Sequence, residues 1–309
     1  LASDVFNDFR IIKDMTMKLS LISILALFLL VACDGTTKFK ESKTFAGGKV
    51  VDPATLSLGQ TTYLEYCIQC HGVDGKGNGP SAPGLLPPPR NLTQGLYKFP
   101  WVAYGDIPHD EDLARIIRHG LKGSAMLPWD ISDERLDAVI QYIKTFAPQV
   151  WEAKDAKLGT KLELPADPFG DTYRHQAIEK GKKVYHITAA CTQCHRGYAT
   201  RDEVAQWNKE LSGSAEVDAN FWNLKAQDSE YNYKALPPDF TYHELRSITD
   251  VPSIVQRLMY GVTGSGMPGW KDVVTDEELW ALAYYVQSLR ELKGDMTKRN
   301  ELINRVTNK

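Results

Sequence analysis

Cys67-Ile-Gln-Cys70-His71 and Cys191-Thr-Gln-Cys194-His195 decide how this chain reads. In each, two thiols flank two residues and an imidazole follows at once. One helical turn then sets both sulfurs and the ring on one side of a planar ligand. Haem c is attached this way: the thiols add across its vinyl groups and the imidazole reaches the iron. Two rivals fit worse. The paired cysteines of a zinc ribbon stand about 15–20 residues apart, and these motifs are much farther from each other. A thioredoxin-like pair sits in a βαβ pattern, which neither motif shows. The spacing therefore predicts two haem c groups, held by Cys67 and Cys70 and by Cys191 and Cys194, with His71 and His195 as iron ligands.

Working outward, the surroundings of the two motifs repeat. Gly59-x-x-x-Tyr63 precedes the first motif as Gly181-x-x-x-Tyr185 precedes the second. Asn91-Leu92-Thr93 follows a proline run, and Asp239-Phe240-Thr241 follows Pro237-Pro238. Gly120 to Trp129, with Gly123, Ser124 and Met126, matches Gly261 to Trp270, with Gly264, Ser265 and Met267, at one constant offset. Each copy closes on an amphipathic helix, Ser132 to Phe146 and Thr275 to about Leu292. Ser132 and the Thr275-x-x-Glu278 capping box mark their starts, and Leu136, Val139, Ile140, Ile143 and Leu279, Leu282, Ala283, Val286 recur at helical spacing. Gly59 and Gly181 are small enough to let two helices cross closely.

These motifs resemble class I cytochromes c over nearly all of residues 53–292. The stretch from Cys67 through Gly72-x-Asp74-Gly75-x-Gly77-Asn78-Gly79-Pro80, followed by Leu-Pro-Pro-Pro-Arg90-Asn91-Leu92-Thr93, is similar to the small cytochrome domains of membrane-associated respiratory complexes. The resemblance implies an all-α fold of two tandem class I cytochrome c domains, with His71 and His195 proximal and Met126 and Met267 distal. The methionines also stand out unaided. Beyond residue 33 only Met126, Met259, Met267 and Met296 occur, Met259 sits in a helix-like apolar run, and Met296 lies in a polar tail. A thioether ligand raises the potential relative to two imidazoles. His109, His119, His175, His186 and His243 have no counterparts at matched places, which suits surface or hydrogen-bonding roles. The second copy departs from the pattern, because Arg196 follows His195 and the Gly-rich loop is replaced.

The expected division is a leader over 1–32, a tether over 33–52, a first cytochrome domain over 53–147 and a linker over 148–172. A second domain spans 173–293 with an insertion at 197–236, and a tail covers 294–309. Residues 19–32 form an apolar run behind Lys18, too short to span a bilayer but right for a signal-peptide core. Leu30-Val31-Ala32-Cys33 resembles a bacterial lipobox, which implies cleavage before Cys33 and its lipidation. The alternatives are an ordinary signal peptide or an uncleaved anchor. Residues 1–16 fit no part of the signal. A flexible tether of this length would hold the first domain ~25 Å from the lipid. The insertion, with Trp207, Trp222, Tyr231 and Tyr233, is expected to pack as a cover for the second haem, the alternative being a docking surface.

A formal net charge of −3 gives no basic excess for nucleic acid. With both irons in His/Met ligation, no position is open to substrate, and electron transfer is the expected function. The implied setting is the periplasmic side of the envelope, lipid-anchored, beside redox partners or respiratory complex subunits. The same residues leave two further readings: a dihaem peroxidase, which needs a releasable ligand and an acid/base partner, and a non-catalytic subunit of a larger oxidoreductase.

Overall fold

Asp52 starts the first long helix. Its carboxylate accepts from the N–H groups of Ala54 and Thr55 at 2.8 and 2.9 Å, and Pro53 takes the first helical position, where a missing donor costs nothing. The computed structural model describes residues 39–307, and from Glu41 onward the chain packs as one compact unit. In chain order it forms β1 (Lys43–Phe45), β2 (Lys49–Val51), α1 (Pro53–Tyr66), α2 (Ile68–His71), α3 (Asp110–His119), α4 (Asp133–Lys144) and α5 (Pro148–Trp151). Then follow α6 (Arg174–Lys183), α7 (Arg201–Ser212), α8 (Val251–Tyr260), α9 (Asp276–Arg290) and α10 (Met296–Thr307). Among the described residues no helix is long and apolar enough to cross a membrane.

Two helix crossings organise the unit. α1 crosses α4 at Gly59, where a Cβ would lie 2.0 Å from the Ala138 carbonyl oxygen and 2.8 Å from Tyr142 Cβ. α6 crosses α9 at Gly181, where a Cβ would lie 2.0 Å from the Ala281 oxygen and 2.8 Å from Tyr285 Cβ. Only glycine permits that approach. Tyr63 and Tyr185 come from the next turns and pack on Tyr142 and Tyr285, with ring centroids 5.4 and 5.5 Å apart. The start of α4 is capped by Ser132, and that of α9 by the Thr275–Glu278 box. Leu279, Leu282 and Ala283 are fully buried in the core beneath α9.

Two segments differ from the sequence expectation. The fold is mostly helical but includes an antiparallel hairpin, with Lys43 opposite Val51 and Phe45 opposite Lys49. That hairpin occupies most of the supposed tether's described part. It is ordered because Phe45 and Val51 are buried, while Lys43 pairs with Glu152 at 2.7 Å and Lys49 with Asp137 at 2.7 Å. The tail is also structured: α10 starts behind Asp295, whose carboxylate accepts from Lys298 N–H, and it buries Val306. Between the halves, residues 148–172 lie against both. Trp151 is fully buried, Trp280 donates to the Pro165 carbonyl at 3.0 Å, and Tyr284 donates to Asp167 at 2.6 Å. Residues 1–38, with the leader and Cys33, lie outside the described residues.

Candidate haem sites

In the first half α1 ends at Tyr66, and α2 turns the thiols and imidazole inward. His71 N–H donates to the Cys67 carbonyl at 2.9 Å, closing the turn. The loop behind it is built on glycine. Gly79 N–H donates to the Cys70 carbonyl, and a Cβ on Gly79 would meet the Gln69 oxygen at 2.3 Å. Tyr63 Oη donates to the Gly72 carbonyl at 2.7 Å. His71 Nδ1 lies 3.1 Å from the Arg90 carbonyl oxygen. A carbonyl only accepts, so Nδ1 carries the proton and the Nε2 lone pair is free for a metal. Burial lowers the His71 pKa and keeps the ring neutral. Burial also pushes the Cys67 thiol up to about 12.

Cys67, Cys70, His71, Met126 and Trp129 line one cavity. It encloses about 1430 Å³ of empty space, its open mouth included, between mainly apolar walls from Leu92, Leu113, Ile117, Val139 and Ile143. The Met126 loop is tightly tied. Leu121 N–H donates to the Met126 carbonyl at 2.8 Å, Ser124 Oγ to the Leu121 carbonyl at 2.7 Å, and Trp129 N–H to the Ile117 carbonyl at 3.1 Å.

The second half repeats these contacts. His195 N–H donates to the Cys191 carbonyl at 2.8 Å, Tyr185 Oη to the Arg196 carbonyl at 2.8 Å, and His195 Nδ1 lies 3.4 Å from the Pro238 carbonyl. Val262 N–H donates to the Met267 carbonyl at 2.9 Å, Ser265 Oγ to the Val262 carbonyl at 2.7 Å, and Trp270 N–H to the Leu258 carbonyl at 2.7 Å. Cys191, Met267 and Trp270 pack on one hydrophobic core, and the His195 ring stacks on Phe240 at 4.8 Å. Burial takes the His195 pKa down to about 4 and the Cys191 thiol up to about 12.

Where the second half departs from the first, the changes compensate one another. Asn91 Oδ1 accepts from Thr93 N–H and Oγ1, and Asp239 Oδ1 accepts from Thr241 N–H and Oγ1 in the same way. The buried carboxylate now faces Arg196 at 3.6 Å and Arg299 of α10 at 3.4 Å. Burial alone would raise its pKa, but the Thr241 and Tyr198 hydrogen bonds and the Arg196 charge hold it below the usual value. In place of Gly79, Lys225 of the insertion donates its N–H to the Cys194 carbonyl at 3.0 Å.

The remaining histidines are occupied elsewhere or face solvent. His186 is held between the Lys182 carbonyl and the Tyr198 N–H, His109 meets the Gly159 carbonyl, and His243 accepts from Asp239 N–H. His119 and His175 are exposed. Met259 is buried in the core and Met296 is exposed. Tyr233, expected with the rest of the insertion to cover the second haem, lines the first cavity, and two further lining residues carried no sequence signal: Lys98, and Arg246 from the second half. No repeat or motif marks them, because they meet across the junction of the halves.

The cavity fits haem, with apolar walls for a macrocycle, two thiols to anchor it, and a free imidazole nitrogen and a thioether to ligate iron. Such an arrangement defines the class of c-type cytochromes. Residues 54–143 and 176–286 both match the family described as cytochrome c oxidase, cbb3-type, subunit III, and the chain belongs to that family. Cytochrome c-551 of Bacillus subtilis (strain 168) is 42% identical over 69 residues, which is 22% of this chain and 60% of that relative's length. Among solved structures, a chain of the Kuenenia stuttgartiensis reducing HAO-like protein complex Kustc0457/Kustc0458 is similar with a TM-score of 0.60 at 29% identity. That match covers 75% of this chain and 95% of the other.

Proposed function

We propose that this cytochrome carries two haems, one per attachment motif, and relays single electrons between redox partners on the periplasmic side of a membrane, held there by a lipid on Cys33. The observation that carries the reading is the recurrence in both halves of a carbonyl-anchored imidazole and a hydrogen-bonded methionine loop. Bound haem supplies a one-electron iron couple. The protein's residues would hold it: the four thiols would anchor it, His71 and His195 would offer Nε2 to the iron, and Met126 and Met267 would offer their thioethers. Among the described residues, those lining the first cavity include no carboxylate to serve a peroxidase as acid or base. Similarity to a chain of a HAO-like complex supports work beside other redox subunits, and native purification that yields the chain alone would speak against stable membership.

A pyridine haemochrome assay should return two haems per chain. The oxidised protein should show the long-wavelength Met–iron charge-transfer band, with Met126→Ala and Met267→Ala each removing about half. A bis-imidazole spectrum in the wild type would overturn the methionine assignment, and rapid steady-state turnover of peroxide would overturn the electron-transfer reading. Cys33→Ser should release the protein from membranes into the soluble fraction.

A further inference from the structure

Arg90, Lys98 and Arg246 all line the first cavity. Arg90 lies over the Tyr231 ring, 3.5 Å from its centroid, and Lys98 Nζ is 5.5 Å from Tyr231 and 5.8 Å from Tyr233. Several other wholly or partly buried cations pair with carboxylates, Lys144 with Asp110 at 2.5 Å, Arg115 with Asp112 at 3.3 Å and Arg196 with Asp239 at 3.6 Å, while buried Arg257 donates to three carbonyls instead. Among the described residues, no carboxylate pairs with any of the three cavity cations. Like charges brought together in a half-buried, apolar crevice are costly unless an anion joins them.

We propose that the first haem site is completed by the second half of the chain, with Arg246 joining Lys98 and Arg90 to receive the two carboxylates of the haem. The inference rests on the haem reading above and adds a residue that lies outside the first repeat. A haem is a flat apolar ring with two carboxylates on one edge, which matches a crevice that is apolar except for a knot of cations. Burial, then the charges of Arg90 and Arg246, push the Lys98 ammonium down to about 8, and an arriving anion would relieve that strain on its charge. Tyr233 closes the same wall, and its neighbour Tyr231 is fixed by donating from Oη to the Thr263 carbonyl at 2.6 Å. The insertion and the segment after it therefore supply part of the first site's wall.

The test is an optical redox titration of the full chain with its haems attached. The midpoint that Met126→Ala displaces belongs to the first haem. Removing a cation leaves a carboxylate charge that favours ferric iron, so Arg246→Gln should lower that midpoint and leave the other in place. The expected shift is three- to tenfold in the ferric/ferrous ratio, tenfold being about 59 mV for one electron. Arg246→Glu should lower it further, Arg246→Lys should restore most of it, and Lys98→Gln should reproduce the fall from a residue of the first half. Lys209→Gln, exposed on the same insertion, should move neither midpoint. Two haems with both midpoints unmoved in Arg246→Gln and Lys98→Gln would overturn the inference alone. A wild-type chain with no haem on the first motif would overturn the functional reading and this inference with it.

Discussion

His186 has the hydrogen-bonding role expected of it, and its burial gives that role a cost in acid. It is buried, its Nδ1 donates to the Lys182 carbonyl at 2.7 Å, and its Nε2 accepts from Tyr198 N–H at 2.9 Å, so the ring is neutral and both nitrogens are satisfied. Burial takes its pKa from the ordinary 6.5 to about 4. A depressed value means the unfolded chain binds the proton first, so this contribution is complete above pH 6.5 and is lost as pH falls toward 4. Between pH 7 and pH 5 the loss is about 2 kcal/mol. Denaturant titrations of the wild type and His186→Gln should therefore differ by about 2 kcal/mol less at pH 5 than at pH 7, and an unchanged difference would show that His186 does not titrate as placed. The residues of the two Cys-x-x-Cys-His motifs and of the two methionine loops were legible as a set because each has neighbours of matched type in the other copy. Arg196 was legible only as a departure from the repeat, and Asp239 only as the counterpart of Asn91. That they offset each other is invisible in a linear chain, since a charge placed against a charge leaves no spacing rule.

Gly59 and Gly181 carry the argument from residues to elements. A methyl group at either would overlap a backbone carbonyl of the facing helix, which no rotamer change relieves. Gly59→Ala should cost about 3 kcal/mol by overpacking, read as a lower denaturant midpoint with an unchanged slope. Full wild-type stability would show that the α1–α4 crossing is looser than the structure has it. The long helices were legible from their caps and apolar spacing. The hairpin was not, because three-residue strands are too short for alternation to register and Phe45 and Val51 flank a polar, Gly-containing turn. α10 was missed because its charges hide Leu302, Ile303 and Val306, which pack inward at helical spacing. The insertion held a readable sign, the Thr200-x-x-Glu203 capping box that starts α7. Its part near the second motif packs Val204, Trp207 and Phe221 into a small core of their own. Its far end sets Tyr233 in the wall of the first cavity and packs Tyr231 against the Thr263–Gly264 turn of the second methionine loop, and no local pattern encodes a destination that distant.

At the scale of the molecule the two halves share an interior as well as a repeat. Arg257 of α8 is buried and donates to the carbonyls of Phe99 at 3.2 Å and Pro100 at 3.4 Å in the first half, and of Gly261 at 2.8 Å in its own. Its guanidinium lies 4.2 Å from the centroid of the Trp101 ring, and that of Arg115 lies 4.6 Å from the same ring. Tyr104 reaches into the loop that carries Met267, accepting from Gly264 N–H at 3.1 Å and donating to Glu230 at 2.9 Å. Each half therefore holds part of the other's site: Tyr104 steadies the second methionine loop, and Arg246 lines the first cavity. Such a junction should make the chain unfold as one cooperative unit, with equal calorimetric and van't Hoff enthalpies in the haem-loaded protein. Arg257→Ala would leave a cavity beside Trp101 and remove the donors to Pro100 and Gly261, a loss of about 3 kcal/mol concentrated at the junction. The calorimetric trace of that variant should split into two transitions. The half that melts first can then be assigned from the absorbance change of the haem whose midpoint Met126→Ala or Met267→Ala displaces. A single transition, shifted but with its enthalpy ratio kept at one, would mean that the halves are coupled through residues 148–172 and not through Arg257.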